Sequence, residues 1–197
     1  MTVLLIHSHY GAAPQGYAAD PGVLVVRERE LTAGHFAAAT GLLTTTHLDQ
    51  IGLLQHQPAL QALLDRGGRW FFNGHILREF VEGLGRYVPL HQPRRADLAM
   101  TRLFEHPIFV GIEQRSLEEN KGVAGFYGRG HNPLPDGAQA VNGIGPNLVP
   151  IDWDWALPAG GRMFSHAGND LGGMGGESGD GALLTRRIIA WCRGELP

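Results

Sequence analysis

The run Thr2-Val3-Leu4-Leu5-Ile6 constrains the fold more than any other feature of the chain. It is short, continuously apolar and rich in β-formers, whereas a strand with one wet face would alternate. A strand of this kind belongs in a parallel sheet covered on both faces. Further apolar runs recur along the sequence: Val23-Leu24-Val25-Val26, Gly41-Leu42-Leu43-Thr44-Thr45-Thr46, Arg69-Trp70-Phe71-Phe72, Val123-Ala124-Gly125-Phe126-Tyr127 and Gly161-Arg162-Met163-Phe164. Helical patterns alternate with them. Pro58 sits in a first helical turn, Leu60, Leu63 and Leu64 recur at helical spacing, and Gly67-Gly68 closes that segment. Ile76 to Val81 predicts a helix directly after the turn Asn73-Gly74-His75, and Ala182 to Arg193 predicts a C-terminal packing helix. The alternation describes an α/β fold with a doubly wound, mostly parallel central sheet.

The length of 197 residues fits a single domain spanning residues 1–197. Gly occupies 29 positions, well above the average of about 7%. Many of these lie in residues 128–147 and 168–181, which read as long working loops. The formal net charge of −3 leaves no basic surplus for a phosphate backbone, so nucleic acid is excluded as a partner. The single Cys192 excludes an internal disulfide and any zinc site needing two thiolates. No stretch approaches the ~20 apolar residues of a membrane span and no basic segment precedes the first apolar run, so no membrane association and a cytoplasmic location are expected. The apolar strand at Val23, followed by the charged Arg27-Glu28-Arg29-Glu30, is expected near a sheet edge, where a homodimer could form.

In open α/β sheets, ligands bind outside the carboxyl ends of the strands. Histidine is found there repeatedly. His7 or His9, His47, His75, His131 and His166 each follow a separate predicted strand within a few residues. Strands on opposite halves of a sheet end far apart, so not all five can meet. A histidine with an ordinary pKa near 6.5 accepts and donates protons at neutral pH, which suits acid/base chemistry on a small polar substrate. Neutral imidazoles with a carboxylate would equally suit zinc or a similar divalent metal, as in a metal-binding hydrolase or isomerase. Asp49, Asn169 and Asp170 share these loops and could orient an imidazole. Arg129, between Gly128 and Gly130 and beside His131, is placed to hold a negatively charged or polyhydroxyl ligand.

Three segments taken in order carry a family resemblance: Gly68-Arg69-Trp70-Phe71-Phe72-Asn73-Gly74-His75, His106-Pro107-Ile108-Phe109-Val110-Gly111-Ile112, and Gly161-Arg162-Met163-Phe164-Ser165-His166-Ala167-Gly168-Asn169-Asp170. Together they resemble the ThuA-like family, named for trehalose utilisation, within the class I glutamine amidotransferase-like superfamily. The resemblance covers most of the chain and implies a flavodoxin-like three-layer sandwich. True amidotransferases of the superfamily carry a cysteine at the strand-to-helix elbow and a His with a carboxylate two residues later on a downstream loop. Here the elbow holds Gly74 and His75, so glutaminase chemistry is excluded. In ThuA-like relatives a Gly-x-His-like elbow replaces the nucleophile, and His75 and His166 are the matching positions. The late loop departs from its Gly-His-Asp-like pattern. The implied metabolism is that of carbohydrates or polyols.

Other motifs favour plainer readings. The run Gly172 to Gly181 lacks the Lys of a phosphate-binding loop and reads as a lid or connection, with Ser178 or Asp180 capping the last helix. Ile151-Asp152-Trp153-Asp154-Trp155 alternates as a half-buried strand does, which predicts packed tryptophans and solvated acids. Neither Ser8 nor Ser165 sits in a Gly-x-Ser-x-Gly elbow, which disfavours a serine hydrolase. The expected site therefore has His75 and His166 as acid/base groups, and Asp49 or Asp170 orienting one of them. His7, His9, Asn73, Gly74, Arg129, His131 and Asn169 are expected to bind substrate. A binding or scaffold protein that kept the fold and lost its nucleophile is the alternative.

Overall fold

The computed structural model describes residues 1–8, 12–118, 123–173 and 179–197. Ten strands are present among them: β1 (Val3–His7), β2 (Val23–Arg27), β3 (Gly41–Thr44), β4 (Arg69–Asn73), β5 (Val88–Pro89), β6 (Met100–Arg102), β7 (Gly130–His131), β8 (Gln139–Ile144), β9 (Val149–Ala156) and β10 (Arg162–His166). Six α-helices accompany them: α1 (Gln15–Ala18), α2 (Ala33–Ala38), α3 (Gln50–Leu54), α4 (Gln57–Asp65), α5 (Gln114–Glu118) and α6 (Asp180–Cys192). The main sheet has the order β2-β1-β3-β4-β10-β9-β8-β6. From β2 to β10 neighbouring strands are parallel, and β9, β8 and β6 extend the sheet by antiparallel pairing. β5 and β7 form a separate two-stranded piece.

The continuous apolar runs are explained by two cores, one on each face of the sheet. Val3, Leu5, Leu43, Phe71 and Phe164 point to one core, where α6 contributes Leu184, Ile188, Ile189 and Trp191. Leu4, Ile6, Leu42, Trp70, Phe72 and Met163 point to the other, against Phe36 of α2 and Leu60, Leu63 and Leu64 of α4. The result is a three-layer α/β sandwich. Each large side chain removed from water contributes about 1.5–3 kcal/mol to burial. Cys192 packs on α6 as a fully buried residue, its thiol pushed up to about 12 by burial. As expected, β2 lies at a sheet edge, with Leu24 exposed. No helix among the described residues is long and apolar enough to cross a membrane.

Three segments depart from the sequence reading. Residues 76–81 form no helix, although Ile76, Phe80 and Val81 are buried at helix-like spacing. Their backbone bonds go elsewhere: Ile76 N–H donates to Asn132 Oδ1 (2.9 Å), Leu77 N–H to Gln50 Oε1 (2.8 Å), and Ile76 C=O accepts from Tyr87 N–H (2.7 Å). Residues 123–127 are turn rather than strand, bent at Gly125 with φ +72°. His131 consequently lies within the short β7 instead of following a strand. Residues 139–144, read as part of a loop, form β8.

Candidate functional site

Because β1, β3, β4 and β10 are parallel neighbours, their carboxyl ends lie side by side at one sheet edge. Each continues into a loop that carries polar residues. A cleft of about 340 Å³ opens there, lined by Thr46 after β3, His75 after β4, Gly168 and Asn169 after β10, Tyr87 before β5, and Phe126, Gly128 and Arg129 before β7. This volume lies at the small end of the ~300–1,000 Å³ typical of ligand sites.

Gly74 shapes the near wall. Its φ of +105° suits glycine, and a Cβ there would lie 3.1 Å from the Thr46 backbone. The turn brings His75 flat against Tyr87, with ring centroids 3.5 Å apart and planes 13° apart. Burial by its surroundings, together with the positive charge His166 can carry, holds the His75 pKa below its ordinary value. His75 is therefore favoured as a neutral imidazole. Arg129 donates to Ala124 C=O (3.0 Å) and Asn169 to Phe126 C=O (2.8 Å), fixing the opposite wall.

Behind the cleft sits a buried polar network. His166 is the last residue of β10, and the antiparallel register sets Asp152 of β9 directly across from it. Nδ1 of His166 lies 2.6 Å from Oδ1 of Asp152, and both side chains are fully buried. Tyr127 O–H and Asn142 Nδ2–H donate to the other carboxylate oxygen, while Arg102 Nε–H donates to Asn142 Oδ1 (2.7 Å). Burial, then the Asp152 charge, pushes the Tyr127 hydroxyl well above its ordinary pKa, so it remains a donor. A carboxylate only accepts, hence Nδ1 of His166 carries a proton, and in the neutral imidazole Nε2 is then the lone-pair nitrogen. Nε2 is buried and has no hydrogen-bond partner among the described residues. It faces Gly168, where an added Cβ would stand 2.6 Å from it and collide with Tyr127 C=O. Gly168 is thus shared between the cleft wall and the His166 ring.

The expected site residues divide accordingly. His75, Arg129 and Asn169 share the cleft with Thr46, which was not among them, and His166 lies beneath it. Asp170 stands behind Thr46, accepting from its N–H (2.7 Å) and hydroxyl (3.0 Å); burial raises its pKa. Asn73 is buried and structural, donating to Thr44 C=O (2.9 Å) and accepting from Leu171 N–H (3.1 Å). Asp49 is exposed and caps α3 through Ile51 N–H (3.0 Å) and Gly52 N–H (3.1 Å), so its carboxylate orients a helix instead of an imidazole. His7 ends β1 as a buried residue, and His131 pairs with Val88 in the β5–β7 ladder; neither is on the cleft wall. His9 and, in the Gly172 to Gly181 run, residues 174–178 with Ser178 lie outside the described residues. Among the described residues no group of three or more His, Cys, Asp or Glu side chains is placed to hold a metal ion.

Asp152 and Asp154 overturn the expectation of solvated acids. β9 is an interior strand, so its polar face meets a second core instead of water. Asp154 accepts from Arg162 and from His106 Nε2–H (3.2 Å), while His106 Nδ1 accepts from Ile108 N–H (3.3 Å). Burial alone would raise the Asp154 pKa, but these two donors outweigh it and hold the carboxyl below its ordinary value. Thr46, Asp152, Tyr127, Asn142, Arg102 and Tyr87 are the site residues that sequence reasoning missed. One signal was available. No basic residue occurs between His131 and Arg162, so acids in that stretch had to find distant partners.

No protein-family model matches the chain, and no curated protein matches it significantly. Solved structures do match. Cytoplasmic Protein STM3548 from Salmonella typhimurium aligns over 97% of this chain and 98% of its own, with TM-score 0.62 and 12% identity. The mmIFT52 N-terminal domain aligns over 98% and 97%, with TM-score 0.56 and 13% identity. The likeness is one of fold.

Proposed function

We propose that this chain is an enzyme acting on a small polar, carbohydrate-like metabolite, with His166 as its acid/base group and Asp152 fixing the tautomer of that histidine. The observation that carries this reading is the buried, unpartnered Nε2 of His166 beside the cleft wall. Buried polar atoms are nearly always paired, and an orphan is accounted for by a strain reservoir, a catalytic role, or a water or ion held there; beside a cleft the catalytic role is the one we adopt. Asp152 binds the opposite nitrogen, the arrangement that leaves Nε2 free to take or give a proton. Tyr87 and Phe126 offer apolar planes and Thr46, Asn169 and Arg129 offer polar groups, which suits the mixed faces of a sugar-like molecule. The ThuA-like resemblance belongs to the same reading. Glutaminase chemistry is no part of it, since the elbow carries no thiol and Cys192 is buried in α6.

The test is turnover of sugars, sugar acids and polyols by the wild-type chain, followed by His166→Asn and Asp152→Asn on any substrate found. His166→Asn is expected to lower kcat by ~10²-fold or more, in line with acid/base contributions. Unchanged kcat in His166→Asn would refute the assignment. A binding module is the second reading, and one observation favours it: the His166 ring has no exposure to solvent. Ligand binding without turnover of any bound compound would support that reading.

A further inference from the structure

Arg129 occupies a position the backbone is built to hold. A Cβ at Gly128 would strike the Ile151 side chain and lie 3.0 Å from Ala167 C=O, and one at Gly130 would strike the Tyr87 hydroxyl and Val88 C=O. Gly128 forms an isolated bridge with Gly168, and Arg129 C=O accepts from Leu90 N–H (2.9 Å). The residue between the two glycines is therefore clamped between the loop after β10 and the strand β5. Its guanidinium gives one hydrogen bond, to Ala124 C=O, and among the described residues it has no carboxylate partner. Among the described residues no Asp or Glu lines the cleft. Asp170, the acid behind Thr46, is already engaged by the Thr46 N–H and hydroxyl.

A permanently charged fork with donors to spare, in a cleft whose described lining holds no acid, matches an oxyanion. We infer that the cleft ligand carries a carboxylate or phosphate on a hydroxylated body, and that Arg129 recognises that oxyanion. The substrate class narrows from carbohydrate-like to acidic carbohydrate-like. This inference rests on the cleft being the ligand site proposed above, and is independent of what His166 does chemically.

Calorimetric titration of the full chain with glucuronate, gluconate, glucose 6-phosphate and glucose tests it. Either the carboxylates, the phosphate or both should bind more tightly than glucose, and which of them does so identifies the oxyanion. Arg129→Gln should weaken binding of the acids by about 10- to 100-fold and glucose by much less, so that the preference for the acids narrows. Arg129→Lys, which keeps the charge and loses the fork, should fall between. Arg129 is exposed, so both variants should keep the wild-type unfolding temperature, and the Lys variant decides the matter if the Gln variant does not fold. Glucose binding as tightly as the acids, equal acid affinity in Arg129→Gln, or no acid binding up to about 10 mM would each overturn the inference. Acid binding without turnover of any acid would end the catalytic reading and leave this one standing. Turnover of neutral sugars with no preference for acids would do the reverse.

Discussion

Asp152 and His166 stand opposite each other on the antiparallel strands β9 and β10, with Oδ1 and Nδ1 2.6 Å apart and neither side chain exposed. The carboxylate is the hub of the site, because it also takes the Tyr127 hydroxyl and the Asn142 amide. Asp152→Ala would strand three donors in the core at once. The expected loss is about 3 kcal/mol or more, since each buried donor left unsatisfied costs about 1–3 kcal/mol. Urea unfolding checks this, and a loss below about 1 kcal/mol would show that the network contributes little to stability.

Gly168 is the contact between cleft and histidine. Gly168→Ala places a methyl group against Tyr127 C=O and 2.6 Å from His166 Nε2, and neither neighbour is a flexible side-chain end. Overpacking of this kind costs about 1–3 kcal/mol or more. The unfolding temperature should fall, and the His166 ring resonances should move in the same variant. Both can be read from one labelled sample.

Asp154, which is buried, and Asp170, which is half-buried, predict opposite pH responses. Asp154 has a folded pKa below its ordinary 3.8 because His106 and Arg162 outweigh burial. Its contribution is present above the ordinary value and is lost as pH falls through the lower folded one. Arg162→Met should therefore move the acid unfolding midpoint to higher pH. Asp170 has a folded pKa raised by burial, so its ionisation costs stability as pH rises past 3.8. Asp170→Asn should be more stable than wild type at neutral pH and lose that advantage near pH 3. Circular dichroism across pH checks both signs.

Much of the architecture was legible because burial on both faces leaves a plain mark in the sequence. The runs at Val3, Gly41 and Arg69 become adjacent parallel strands, and the polar residues following them reach one edge for that reason. The segment after Gly74 misled because helix-like apolar spacing records which side chains are buried, not where backbone bonds go; Asn132, Gln50 and Tyr87 take those bonds from far along the chain. The acids of β9 misled for a related reason. Alternation fits a strand with one wet face, but β9 lies between β10 and β8, and partners for Asp152 come from Tyr127, Asn142 and His166. Long-range pairing of this kind leaves no local pattern. His166 and Arg129 were singled out by their position after apolar runs, His166 also by the family resemblance, whereas the residue that pairs with His166 required the register of two antiparallel strands.

A long-range ¹H–¹⁵N correlation spectrum of the imidazoles tests the central claim most directly. For His166 the expected result is a proton on Nδ1 and an unprotonated Nε2, with the Nε2 resonance shifting when a cleft ligand is added. A proton on Nε2, or a His166 spectrum indifferent to a ligand bound in the cleft, would contradict it.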